Sequence, residues 1–448
     1  MKSILDSQRN GCQATPPAQP RQPYCKDWST KGRSTRVRIL RTHPHIVSVA
    51  SDRVFLTVFI PLVLLFGVTA QWTLPYHIDP LTNAITGWYW AETGSPIATE
   101  HAAYATPEHR GNLGWLVPSP RGPVSQYPVG SALLPAVAYF LAPTSRTSAV
   151  MSGTENPQAG SVEVPMPPVW PATLSSVLAT AAACAVLALV YRRLGGSAKQ
   201  AVVAGLFSGI ATTAWAVASA ASWTHGPAIL FIALGLWAAS DSRWLLTGLA
   251  FGVALTIRPH IAAIVACIGI AAAIGDRRWK PVLLAGLGSS LGLVALISFN
   301  YWLWATFTIT GGYSTELREN LLTGGWLSFI GNVWGAVVDL RHGLLVWAPF
   351  LVLAVPAAFI VRRTSPRWAL GAAVGGLLYL LIQLRANRFS GGGGHFAYRY
   401  PLEALTAVAP LLFLGYIHWI LPRSRVNRIF LALGAMAIAG QVVGSFIT

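Results

Sequence analysis

The chain has 448 residues, of which 53% are hydrophobic and only 10% charged, against roughly 25% charged in soluble domains. A soluble protein of this length has too little interior to hide so much apolar surface, which excludes an ordinary soluble enzyme. The net charge of +17 does not indicate nucleic acid as a partner: the basic residues sit in a leading tail and in short loops between apolar runs, with no nucleic-acid-binding motif among them.

Residues 1–53 are rich in Pro, Gln, Ser, Thr, Lys and Arg and are expected to form a disordered, basic, cytoplasmic tail. Residues 54–448 are expected to form one all-α, multi-pass membrane domain of about eleven transmembrane helices. The apolar runs lie at 54–74, 170–191, 200–221, 226–240, 243–258, 260–275, 281–304, 343–361, 368–385, 401–420 and 428–447. One further run, 126–142 (QYPVGSALLPAVAYFLA), holds Pro128 and Pro135 and would reach only about 26 Å as a helix.

Charge decides how that run is read. If 126–142 stays on one side, as a re-entrant or interfacial segment, the tail and all five basic short loops share the cytoplasm, collecting 23 of the 32 Lys and Arg. If it crossed, those loops would face outward while the tail stayed inside, against the positive-inside rule. The resulting topology has a cytoplasmic N-terminus, an extracytoplasmic C-terminus, a long first external loop at 75–169 and a second external segment at 305–342. Residues 143–169, rich in Pro, Ser and Thr without helical periodicity, read as an insertion in that loop.

Sorted by side, ten of fifteen carboxylates fall outside, Asp79 and Glu403 among them, together with His77, His225, His395, Arg258, Arg341 and Arg399. A carboxylate that can act as general base, beside guanidiniums that hold phosphate through paired hydrogen bonds, is the equipment for an anionic lipid headgroup. Asp79 lies five residues beyond the first helix, ahead of the aromatics Trp88, Tyr89 and Trp90; its competing reading is an ordinary helix cap. Arg258 ends an apolar run in TIRPH, and Arg399 opens one after Gly391–Gly394; either also fits a plain interface anchor. The glycines lack a GK[ST] ending and form no P-loop. Cys12, Cys25, Cys184 and Cys267 show neither metal spacing nor an obvious pairing. No metal site is expected from spacing, although a loosely held divalent cation stays open.

Several stretches, in order, bear a family likeness: the early external Asp79, then SQYPVGSALLPAVAYFLA, VYRRLGG, GLAFGVALTIRPH, FNYWLWATFTITGGY, DLRHGLLVWAPFLVLAVPA and GGGGHFAYRYPLEALTAVAPLL. Together they resemble the GT-C superfamily of integral-membrane glycosyltransferases, in particular bacterial polyprenyl-phosphate-sugar enzymes of the mannosyltransferase and arabinosyltransferase type. The chain departs from that pattern in having no paired Asp-x-Asp after the first helix and in offering His225 where many members carry an acid.

The resemblance implies a GT-C-like fold and transfer of a sugar, with inversion, from a polyprenyl-phosphate donor to a glycan, lipid or protein acceptor outside the membrane. Asp79 would be the catalytic base. Arg399, Arg258 and Arg341 would hold the leaving phosphate, His395 and His225 would assist by hydrogen bonding, and Tyr313, Trp88 and Trp90 would stack on sugar faces. The alternative reading is a multi-pass transporter or lipid-linked-sugar flippase, which would favour an internal repeat and mid-membrane charges. A non-catalytic scaffold would need the helices alone.

Overall fold

Lipid offers no partner for backbone N–H and C=O groups, so apolar runs that enter a bilayer fold as helices. The structure, a computed structural model, describes residues 44–447 apart from 75–76, 105–115, 143, 146, 153–160 and 392–395. The tail expected to be disordered therefore lies outside the described residues up to position 43.

Each expected span has a helical counterpart. In chain order these are α1 (Pro44–Thr69), then, after the first loop with its α2 (Ile78–Thr93) and α3 (Leu133–Leu141), α4 (Trp170–Arg193), α5 (Ala198–Ile210), α6 (His225–Ser240), α7 (Trp244–Ile257), α8 (Ala262–Asp276) and α9 (Lys280–Trp304). After α10 (Ser314–Thr323) and α11 (Trp326–Val338) of the second external segment come α12 (Leu351–Val361), α13 (Arg367–Ala386), α14 (Pro401–Gly415) and α15 (Ser424–Ile447). Among the described residues six helices are long and apolar enough to cross a membrane, with shorter apolar helices beside them. The chain is a polytopic helical membrane protein. Its core is built on α4, which is buried along most of its length.

Two expected spans are broken. The run 200–221 stops as α-helix at Ile210 and resumes as a wider turn over Ala214–Ala218; the Thr212 hydroxyl bonds the carbonyl of Ser208 at 2.6 Å, a side-chain bond that competes with the helical ladder. The run 343–361 makes one helical turn, Leu344–Trp347, and restarts at Leu351. The break falls at Ala348, where the following proline disfavours helical geometry.

The described part of the first external loop contains two strand pairs. Strand β1 (Leu116–Ser119) pairs antiparallel with β2 (Gly122–Ser125), and β3 (Thr147–Ser152) pairs with β4 (Ser161–Met166). Thus the stretch 143–169 contains a β-hairpin. His101 ties it down: one ring nitrogen meets the Pro165 carbonyl at 2.8 Å and the other the Tyr89 hydroxyl at 3.0 Å.

Segment 126–142 forms a 3₁₀ turn, Val129–Ala132, followed by the nine-residue α3. It wedges between α2 and the end of α7. A methyl group on Gly87 of α2 would overlap Pro135, and one on Gly130 would overlap Thr256. Ser131 donates to Asn83 of α2 at 2.9 Å. This wedge sets the start of α2 against the helix ends described next.

Candidate active site

Five chain segments meet at the ends assigned above to one face. The start of α2 brings His77 and Asp79, the turn before α6 brings Trp223 and Thr224, and α6 itself opens with His225. Arg258 comes from the end of α7, Tyr379 from α13, and Arg399, Tyr400 and Glu403 from the approach to α14 and its first turn.

Local sequence explains each placement. Arg258 precedes Pro259, which pushes it out of helical geometry to φ −142°, ψ 100°. The side chain leaves the helix end instead of following its surface. The α2 N-cap is His77, not Asp79; the carboxylate sits in the first turn, where the helix dipole favours a negative charge. Gly391 has φ +64° and lies so close to Arg399 that a Cβ there would stand 2.6 Å from Nε, so glycine is required both for its backbone and for space. Ala397, buried two residues before Arg399, holds φ +52°, which costs roughly 1–2 kcal/mol in a residue with a Cβ. Strain of this kind gathers at functional sites.

Two ion pairs form the centre. Arg399 Nη1 donates to Asp79 Oδ2 at 2.8 Å, with side chains 9% and 19% exposed. Its other nitrogen donates to the Gly391 carbonyl. Deeper in, Glu403 is completely buried; its Oε1 forms an ion pair with Arg258, 2.9 Å from Nε, and accepts a hydrogen bond from His225 Nδ1 at 2.8 Å. Arg258 also donates to the Thr224 hydroxyl at 2.9 Å, and its Nη2 stands 3.3 Å from His225 Nε2. These contacts define a neutral His225 with its proton on Nδ1, because the carboxylate must accept and the guanidinium can only donate.

Aromatic rings join the pairs. Tyr400 lies 5.1 Å from the Arg399 guanidinium and 5.7 Å from that of Arg258, and Trp223 lies 5.1 Å from Arg399. Such contacts suit planar arginine better than lysine. Burial lowers the pKa of His77; nearby Asp79 opposes that shift and Arg399 adds to it.

The structure brings together Asp79, Arg399, Arg258 and His225 of the residues singled out from sequence. Arg341 stays apart: it is exposed, and its backbone N–H bonds Asp339 at 2.9 Å in a local turn. Trp88 is 1% exposed and packs in the core of the external loop with Leu81 and Ile85, so its ring faces are not open to a sugar. Trp90 stacks on Phe299 at 5.9 Å, away from the ion pairs. His395 and the Tyr313 side chain lie outside the described residues. Sequence reading placed Glu403 outside without singling it out. Its signal was present: an ionisable residue one turn into an apolar helix needs a partner. Among the described residues no group of three or more His, Cys, Asp or Glu gathers that could hold a metal ion.

With two carboxylates set against two guanidiniums, the cluster is charge-balanced. Of the two pairs the outer one is reachable from outside, since Asp79 is partly exposed and Glu403 is not.

The chain matches no protein-family model and no curated protein. Among solved structures it is similar to the crystal structure of ArnT from Cupriavidus metallidurans in the apo state, at 15% identity and a TM-score of 0.46, over 89% of this chain and 76% of that one. A likeness this distant assigns no activity, which leaves function to the geometry of the site.

Proposed function

We propose that this protein is a membrane glycosyltransferase that moves a sugar from a polyprenyl-phosphate donor to an acceptor hydroxyl at the extracytoplasmic face. The observation that carries the reading is the partly exposed Asp79–Arg399 pair, a general base and a phosphate ligand held against each other at the membrane edge. The donor phosphate takes Asp79's place on Arg399, and the displaced carboxylate turns to the acceptor.

The acceptor oxygen attacks the anomeric carbon as its proton passes to Asp79. The bond from that carbon to the phosphate oxygen breaks, and the sugar inverts. The polyprenyl phosphate leaves with the electron pair, its added charge held by Arg399, whose desolvated setting strengthens the interaction. Arg258, fixed by Glu403 and Thr224, supplies a second positive field near Tyr400. The donor brings its activation in the phosphate ester, so no nucleotide takes part in the transfer.

The test is transfer of label from a radiolabelled polyprenyl-phosphate sugar by membranes containing the protein. Wild-type membranes should transfer label and Asp79→Asn membranes should not. Equal transfer by both, with the protein inserted in each, removes Asp79 from the chemistry.

A further inference from the structure

A second feature opens at the Lys199 end of the helix bundle and extends toward Leu402, the neighbour of Glu403. A cavity of about 370 Å³ runs between α4, α5, α14 and α15. On α5 its wall extends from Lys199 to Ser208, about 14 Å of helix, and Thr212 and Ala214 line it beyond the helix end. That volume over that depth makes a narrow shaft, suited to one hydrocarbon chain.

The lining is most exposed at the Lys199 end. At its mouth Lys199 is exposed, and Val203 on α5 and Leu431 on α15 are 54% and 51% exposed, which leaves a lateral gap toward lipid. At its far end Leu402, Thr406 and Ile229 are all buried. Hydroxyls along the wall are satisfied locally: Thr406 bonds the Leu402 carbonyl at 2.9 Å and Tyr191 meets Ser208 at 2.9 Å. The interior is therefore dry and apolar, without a group that would hold a polar head. None of Asp79, Arg258, Arg399 or Glu403 lines it.

The mouth belongs to the basic face. Lys199 follows the α4 end that carries Arg192 and Arg193, and the same face carries the Arg243, Arg277–Arg278 and Arg362–Arg363 turns. Arg193 is engaged with Asp241 at 2.8 Å, whereas Lys199 makes no ion pair or hydrogen bond among the described residues. An anionic headgroup at such a mouth gains roughly a lysine's worth of surface attraction while its chain fills the shaft.

We infer that this cavity is a binding site for an anionic glycerophospholipid of the leaflet at the Lys199 face, its phosphate at Lys199 and one acyl chain in the shaft. The far end, at Leu402, neighbours Glu403, so displacement by polyprenyl phosphate distinguishes this lipid from a donor lipid with its head at Asp79 and Arg399.

The test uses the full chain, purified in detergent and stripped of lipid, with phosphatidylglycerol and phosphatidylcholine of identical chains as probes. Native mass spectrometry counts retained lipid, and the thermal midpoint reports occupancy. Phosphatidylglycerol should be retained and raise the midpoint more than phosphatidylcholine. Lys199→Gln, at an exposed position that folding does not need, should weaken phosphatidylglycerol about fivefold and leave phosphatidylcholine unchanged. Ala204→Phe, which narrows the shaft, should weaken both. Equal binding of the two lipids, or indifference to Lys199→Gln, overturns the proposal. So does one-for-one displacement by polyprenyl phosphate, which would make the shaft the donor's own groove.

Discussion

Arg399 and Asp79 stand 320 positions apart in the chain and 2.8 Å apart in space. Their contact is assembled by the whole fold: α2 must be wedged by Gly130 and Pro135, and the segment before α14 must pass close at Gly391. The carboxylate is thereby held at a fixed height on the guanidinium. Removing the base alone, as Asp79→Asn, should lower transfer by roughly 10²- to 10⁴-fold. Arg399→Lys keeps the charge but loses the planar contacts to Trp223 and Tyr400, and should retain a measurable fraction of activity. Both are read from initial rates on protein whose gel-filtration profile matches wild type. A rate for Asp79→Asn within a factor of two of wild type would refute the assignment.

Glu403 differs in kind from Asp79. It is wholly buried and satisfies both Arg258 and His225, so Glu403→Gln strands a guanidinium at the bundle's edge. Breaking one side of a buried pair costs about 3–5 kcal/mol. The expected result is a large fall in thermal midpoint, partly recovered when Arg258→Met is added, because the double variant buries no uncompensated charge. If the double variant is as unstable as the sum of the singles, the two residues do not act as a pair.

The contrast between these residues also explains what the sequence disclosed. The helices were legible because a bilayer permits little else for long apolar runs, and the grouping of Asp79, Arg258, His225 and Arg399 followed from placing each run's charged end on a face. Glu403 was harder, since a carboxylate in a helix's first turn is already accounted for by the dipole. Its partner His225 is 178 positions away, a pairing that exists only after folding. Trp88 and Arg341 failed in opposite directions. Trp88 looked interfacial, but α2 is buried nearly all round by the loop that follows it, whereas Arg341 had the right side of the membrane without a neighbour in the cluster. The hairpin in 143–169 was marked by the alternation in Ser161–Met166 (SVEVPM), a strand pattern too short to stand out beside so many helices.

Acid should loosen the external loop. Burial lowers the His101 imidazole below its ordinary value of about 6.5, against opposing effects of the Pro165 carbonyl and Glu100, and burial lowers His77 likewise. Below 6.5 the unfolded chain therefore binds protons that the folded chain refuses. The stabilisation is complete above that pH and is lost progressively as pH falls through 6.5 toward the folded values. Thermal midpoints of the purified protein should fall between pH 7.5 and 5.5. His101→Gln, which can still bridge Tyr89 and Pro165, should show a shallower fall. An unchanged slope in that variant would place the acid sensitivity elsewhere.

Packing of α7 on α9 rests on four glycines, spaced as Gly248 and Gly252 on one helix and Gly288 and Gly292 on the other. A Cβ on Gly292 would overlap the Gly252 carbonyl, and one on Gly248 would overlap that of Ala285. The two backbones are in contact, an arrangement open only to small residues in membrane helices. Since α7 ends in Arg258, any splaying there moves the guanidinium off Glu403. Gly292→Leu should therefore destabilise by about 1–3 kcal/mol through overpacking and also lower transfer, although it touches none of the ion-paired residues and acts through Gly252, six residues before Arg258. Gly286, on the same helix, has open space around the position of a Cβ, so Gly286→Ala should leave both stability and transfer at wild-type levels or slightly raise stability through helix propensity. Comparable losses in the two variants would mean that α9 tolerates no side chain for reasons unconnected with α7, and the link from helix crossing to Arg258 would fall.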